Sequence, residues 1–139
     1  MSEEYAISPE NIVRGLFEAA SRRDFGTALD AFDQNVVMVV VPDAFPTAAG
    51  TYLGREEVGK WFAEWFRSFA DDYRFEVEEL RSVAERVFVV ARHHGRGRAS
   101  GVEVRGLFAY VYTVRLAKIV RVEIFRDRDE ALDALGREK

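Results

Sequence analysis

The stretch REEVGKWFAEWFRSFADDYRFEVEELRSVAERVFVVARHH, residues 55–94, changes period in its middle, and the change decides the fold class. From Arg55 to Phe69 the apolar residues Val58, Trp61, Phe62, Trp65, Phe66 and Phe69 recur at i, i+3, i+4, i+7, i+8 and i+11, the wide apolar face of a helix. Glu56, Lys60 and Glu64 hold the polar side. After Ala70 the period drops to two: Tyr73, Phe75 and Val77 alternate with Arg74, Glu76 and Glu78, as on a strand with one buried face. The alternation slips at Glu78–Glu79, so that Leu80 and Val83 take the other parity, which predicts a β-bulge. Helix and strand in direct succession place the chain in the α+β class.

Toward the C-terminus, Arg86 to His94 reads as a second long strand, Val102 to Leu116 as a third and Lys118 to Arg126 as the last. The connections (Ala84–Glu85, the Gly95–Gly101 hairpin, Leu116–Ala117) are short, so these strands should form an antiparallel meander. DRDEALDALG, residues 127–136, reads as a final helical turn or two ending at Gly136. Toward the N-terminus, PDAFPTAAGTYLG, residues 42–54, reads as a long loop suited to the rim of a pocket. Val36 to Val41 is a β-branched strand ended by Pro42. Two helices precede it. Ser8 caps the first, Pro9 suits its first position, and Ile12, Val13, Leu16, Phe17 and Ala20 form its apolar stripe. Glu10, Arg14, Glu18 and Arg22 lie four apart on its solvated side. Asp24 caps a second, short helix with the stripe Phe25, Ala28, Leu29 and Phe32.

With 139 residues, 48% hydrophobic and 32% charged, the chain reads as one globular domain over residues 1–139 with its core at about 8–136. It has no cysteine, which excludes disulfides, thiolate nucleophiles and cysteine–zinc sites. A net charge of −4 argues against nucleic acid as a partner. No apolar run approaches the ~18–20 residues that span a bilayer. The opening MSEEYAISPEN is acidic and lacks a secretory pattern, so a cytoplasmic protein with no membrane partner is expected.

The order helix–helix–strand–helix followed by four antiparallel strands resembles that of the nuclear transport factor 2-like superfamily. FDQNVVMVVV (32–41), YLGREEVGKWFAEWF (52–66) and KIVRVEIFRDRDEALDALG (118–136) look like its SnoaL-like branch, and the likeness runs from about Ser8 to Gly136. The resemblance implies a cone-shaped, curved, mainly antiparallel sheet wrapped over the N-terminal helices, of the cystatin-like kind. It also implies a pocket between sheet and helices and, frequently in the family, a homodimer formed through the sheet; no cofactor is expected. Isomerases, cyclases, dehydratases, epoxide hydrolases and noncatalytic binders all occur on this fold. One departure is physical: relatives usually place Gly in the last hairpin, where Leu116–Ala117 stands here, so either the turn is wider or a residue accepts strain.

The ketosteroid isomerase branch needs a carboxylate base on the first strand, a Tyr on the first helix and a neutral Asp on a later strand. Val39 or Val40 and Leu16 stand at the first two places, and no Asp occurs between Asp72 and Asp127, which sets that activity aside. Arg121 and Glu123 are two apart on the last strand and should share a face with Ile119 and Phe125. SnoaL-like cyclases carry an acidic catalytic residue in this region. If that face looks into the pocket, Glu123 is a candidate base and Arg121 the partner that holds it ionised. Otherwise the two are a structural ion pair facing solvent or a dimer partner.

His93 and His94, adjacent on a strand, point to opposite faces. An inward His93 is a candidate general acid or base; otherwise the pair marks the exposed end of a hairpin. Adjacent strand histidines cannot chelate one ion, so no metal is expected. Phe108, Tyr110 and Tyr112 share one strand face, for ligand contact or for packing. With Phe17, Trp61, Trp65 and Tyr52 they form the candidate binding set for an apolar, cyclic small molecule. Asp43 is the carboxylate nearest the rim, and RHHGRGRASGVEVR (92–105) reads as a solvated turn, not a dinucleotide-binding loop. Two functions stay open. One is cofactor-free acid–base chemistry (isomerisation, cyclisation, dehydration or hydrolysis) with Glu123 as base. The other is a noncatalytic binding or dimerisation module, with a pocket walled by carbon and Arg121 and Glu123 paired outside it.

Overall fold

The computed structural model describes residues 8–42, 44, 48–69 and 73–136. Helix α1, Pro9–Ser21, starts where the Ser8 hydroxyl accepts a hydrogen bond from the Asn11 amide at 3.2 Å, with Pro9 in the first turn where no amide hydrogen is needed. It buries Val13 and Ala19, while Arg14 and Glu10 pair at 2.9 Å on its solvated side. Helix α2, Phe25–Asp30, is capped by the Asp24 carboxylate, which accepts from the Thr27 amide at 3.3 Å. Helix α3, Gly54–Arg67, has Leu53 at its cap and no side-chain oxygen there. Glu57 reaches back instead, and its carboxylate accepts from the Leu53 amide at 2.8 Å, half of a capping box.

Six strands form one sheet in the order β2-β1-β6-β5-β4-β3. They are β1 Phe32–Val40, β2 Gly50–Leu53, β3 Arg74–Val83, β4 Arg86–Arg96, β5 Glu103–Arg115 and β6 Lys118–Phe125. The last four make the expected antiparallel meander, and the predicted bulge is present: the β3–β4 register shifts between Val77 and Glu79. Two features differ from the sequence reading. β1 begins at Phe32 rather than Val36, because the Ile119 amide donates to the Ala31 carbonyl at 2.8 Å and seats Phe32 opposite Ile119. The segment read wholly as a loop contains β2, which pairs antiparallel with β1 and covers the backbone edge β1 would otherwise expose. β1 in turn runs parallel to β6, so first and last long strands lie side by side.

The α+β cone expected from the resemblance is therefore the architecture found. The concave face carries Val36, Met38, Val87, Val89, Val122 and Ile124 against α1, α2 and α3. The convex face is covered in part by helix α4, Arg128–Gly136, whose Ala131, Ala134 and Leu135 bury Phe88, Val90, Ala109, Val111 and Phe125. Arg86 fastens this helix, donating to the carbonyls of Ala134 at 2.7 Å and Leu135 at 3.2 Å, where the helix dipole favours a cation. At the last hairpin both Leu116 and Ala117 adopt positive φ, 52° and 66°, as a type I′ turn requires. The turn is tight and strained, not widened. The Leu116 side chain is 98% exposed, so nothing repays that strain. Among the described residues no helix is long and apolar enough to cross a membrane.

Candidate functional site

Between the three N-terminal helices and the concave face lies a cavity of about 190 Å³. The α1 stripe supplies Leu16, Phe17 and Ala20, and α2 supplies Phe25, Ala28 and Leu29. α3 contributes Trp61, Phe62, Trp65 and Phe66, while the floor is Phe75, His93, Tyr110, Tyr112 and Ile124. The two indoles, one turn apart on α3, are nearly coplanar in direction, 8° between planes and 6.0 Å between centroids. Phe17 stands edge-on to Phe75, Tyr110 and Tyr112 at 5.7, 5.7 and 6.1 Å. Edge-to-face rings such as these hold their positions through the aromatic quadrupole as well as through buried area.

One polar chain crosses this carbon wall. The Trp65 indole N–H donates to the Tyr73 hydroxyl at 2.9 Å, that hydroxyl is hydrogen-bonded to His93 Nδ1, and His93 Nε2 lies 2.9 Å from the Tyr110 hydroxyl. Strand alternation aligns it: Phe75 pairs with His93 across β3–β4, and Val89 with Tyr110 across β4–β5, all on the concave side. Gly95 makes room for it, since a Cβ there would collide with the Tyr73 ring. Tyr73 is also held from behind, its carbonyl accepting from Arg23 at 2.5 Å. Burial, reinforced by electrostatic repulsion from the His94 and Arg126 side chains, pushes His93 down to about 4. Burial likewise pushes the phenols of Tyr73, Tyr110 and Tyr112 up. At neutral pH every one of these groups is uncharged.

Five of the seven predicted binding residues, Phe17, Trp61, Trp65, Tyr110 and Tyr112, line the cavity. Phe108 is buried just behind it, edge-on to His93 at 5.1 Å and under the Arg126 guanidinium at 4.8 Å. Tyr52 packs against Trp61 at 6.3 Å and spends its hydroxyl on the Ala48 carbonyl at 2.7 Å, outside the lining. His93 faces inward, where it is only 7% exposed, and His94 faces the other way beside Arg74 and Arg105. Asp43, Phe45 and Pro46 lie outside the described residues.

Arg121 and Glu123 do not reach the cavity. Ile119 pairs with Val114 and Arg121 with Thr113, so Val120 is an extra residue in the ladder and the parity of β6 flips across it. Ile119 therefore looks inward with Val122 and Ile124, while Arg121 and Glu123 look outward with Phe125. Glu123 sits opposite Val111 and Val39 and pairs with Arg121 at 3.4 Å on the convex side. The expectation that Ile119 shares their face is corrected by that single residue. Tyr73 and Phe75 join the site without being among the expected residues, and their parity with His93 across the short β3–β4 turn is the signal in the sequence that points to them. Among the described residues no three His, Asp or Glu side chains come together as a metal-ligand set.

A family model described as the SnoaL-like domain matches residues 13–122. An NTF2-like protein from Burkholderia thailandensis E264 is 26% identical, with 92% of this chain and 97% of that one covered and a TM-score of 0.76. An NTF2-like protein of unknown function from Burkholderia pseudomallei K96243 is 22% identical over 92% and 97%, with a TM-score of 0.74. TerC, co-crystallized with polyporic acid, is 20% identical over 91% and 97%, with a TM-score of 0.73. No functionally curated protein matches the sequence.

Proposed function

The chain belongs to the SnoaL-like domain family, and on that premise we propose that it holds a compact, apolar, cyclic small molecule between its helices and the concave face of its sheet. The observation that carries this reading is the wall itself: among the described lining residues there is no Asp, Glu, Lys or Arg, and the polar atoms belong to aromatic rings. A volume of about 190 Å³ suits one substituted ring or a small fused pair, given that a dry cavity of roughly 150 Å³ accepts benzene. Such a ligand gains by leaving water and by meeting ring edges on several sides. TerC, of the same fold, was co-crystallized with polyporic acid, which supports a small organic ligand. Binding is favoured over carboxylate chemistry because Arg121 and Glu123 lie behind the sheet. A proton passing from His93 to a ligand would go through the Tyr110 hydroxyl, since phenols occupy both ring nitrogens and, of the two, only Tyr110 lines the cavity.

The chain's two tryptophans, Trp61 and Trp65, both stand in the wall, so intrinsic fluorescence reports occupancy directly. Titration with indane should give a saturable change, and Ala20→Phe, which fills the cavity from α1, should weaken binding by about tenfold or more. Unsaturable titration, or equal affinity in the filled variant, would remove the proposal. The convex face beside β2, with Leu53 60% exposed next to half-buried Val37 and Val39, is the surface we assign to self-association through the sheet. A monomeric mass by light scattering, unchanged by Leu53→Arg, would refute that assignment.

A further inference from the structure

In the chain Trp65–Tyr73–His93–Tyr110, four donor hydrogens meet three hydrogen bonds. The indole and the neutral imidazole supply one N–H each and the phenols one O–H each, so whichever tautomer His93 adopts, one hydrogen is left over. Where it rests depends on direction. If His93 carries its hydrogen on Nδ1, the Tyr73 oxygen accepts twice, from Trp65 and from His93, and the surplus hydrogen belongs to Tyr73. That hydroxyl is 3% exposed by residue and is packed among Phe66, Phe69 and Phe75 at 5.5, 4.6 and 6.3 Å between centroids, rings that offer no acceptor of comparable strength. A buried donor left without a partner is costly. If Tyr73 donates to Nδ1, His93 Nε2–H donates to Tyr110, and the surplus hydrogen stands on a residue of the cavity wall. The second direction satisfies Tyr73, which has no cavity beside it, and leaves the free hydrogen on Tyr110, which is also buried but lines the cavity, where a ligand can take it.

We propose that Tyr110 offers this hydrogen to the cavity and so selects ring ligands bearing a hydrogen-bond acceptor, a ketone oxygen above all, over hydrocarbons of the same shape. Tyr73 acts as a positioning residue by setting the direction of the chain. The inference rests on the cavity reading given above and sharpens it, because the indole N–H groups of the wall are spent on Ala48 and Tyr73 and, apart from the Tyr112 hydroxyl, the remaining side chains contribute affinity without preference for polar substituents.

The test uses indane and 1-indanone, which share a skeleton and differ by one carbonyl oxygen. Tyr110→Phe removes a hydroxyl and little volume. It should weaken 1-indanone about five- to tenfold while leaving indane within about twofold, the difference expected of one hydrogen bond. In the unaltered protein the carbonyl stretch of bound 1-indanone should lie at lower wavenumber than in an alkane solvent, a measurement that does not depend on the variant folding. Equal weakening of both ligands, or an unshifted carbonyl stretch in the bound state, would overturn the inference while the cavity reading stands. Failure of indane itself to bind would remove the cavity reading and this inference with it.

Discussion

Lowering the pH should destabilise the protein through His93 more than through any other single group described here. An unfolded histidine titrates near 6.5, and burial in the folded chain moves His93 to about 4. Between those values the unfolded chain binds a proton that the folded chain refuses, so stability falls as pH falls. The contribution is complete above about pH 6.5, declines through the interval and is lost by about pH 4. At about 1.4 kcal/mol for each pH unit between the two values, the loss amounts to ~3 kcal/mol, a large part of a typical domain's stability. The cause is desolvation, with His94 and Arg126 adding repulsion, while the phenols of Tyr73 and Tyr110 that touch the ring carry no compensating charge. Urea unfolding followed by circular dichroism across this range measures it, with His93→Gln as reference because Gln keeps a donor and an acceptor without titrating. Carboxylates common to both proteins cancel in the difference. Parallel stability curves for the two proteins, or a folded-state His93 titration near its ordinary value by NMR, would refute the reasoning.

Leu116→Asn with Ala117→Gly should raise stability by about 1 kcal/mol, since both positions hold positive φ and the Leu116 side chain packs on nothing; an unchanged urea midpoint would count against the strain. Arg86→Met should cost about 1–2 kcal/mol and speed amide exchange in α4 before the rest of the chain, because two carbonyls at the helix end lose their donor. Glu123→Gln should leave indane affinity within about twofold, as the carboxylate lies across the sheet from the cavity; a larger loss would place Glu123 in the site after all.

The α3 stripe and the two-residue alternation of β3 were readable because each face of those elements meets a different environment, and the slip at Glu78 was visible for the same reason. β2 was not. Gly50–Leu53 carries no β-branched run, and it is a strand because its backbone completes the edge of β1, a long-range pairing that local composition does not record. The face of β6 was lost differently. KIVRVEIF has apolar residues on both parities, since α4 covers the convex side as the N-terminal helices cover the concave one, so alternation could not expose the extra residue at Val120. The site was legible as a set of rings but not as a chain of hydrogen bonds. His93 and His94 are interchangeable in sequence, and only the pairing of His93 with Phe75 and Gly106 turns one of them inward.

The parallel alliance of β1 with β6 has a consequence for how the chain is born. Until Phe125 has left the ribosome, Phe32–Val40 can find only the four-residue β2 to lean on, and the early helices have no finished floor beneath them. Closing a contact between such distant segments is slow, and meanwhile a greasy strand waits with one flank bare. Chains whose synthesis stalls before the final strand should therefore aggregate rather than fold in part.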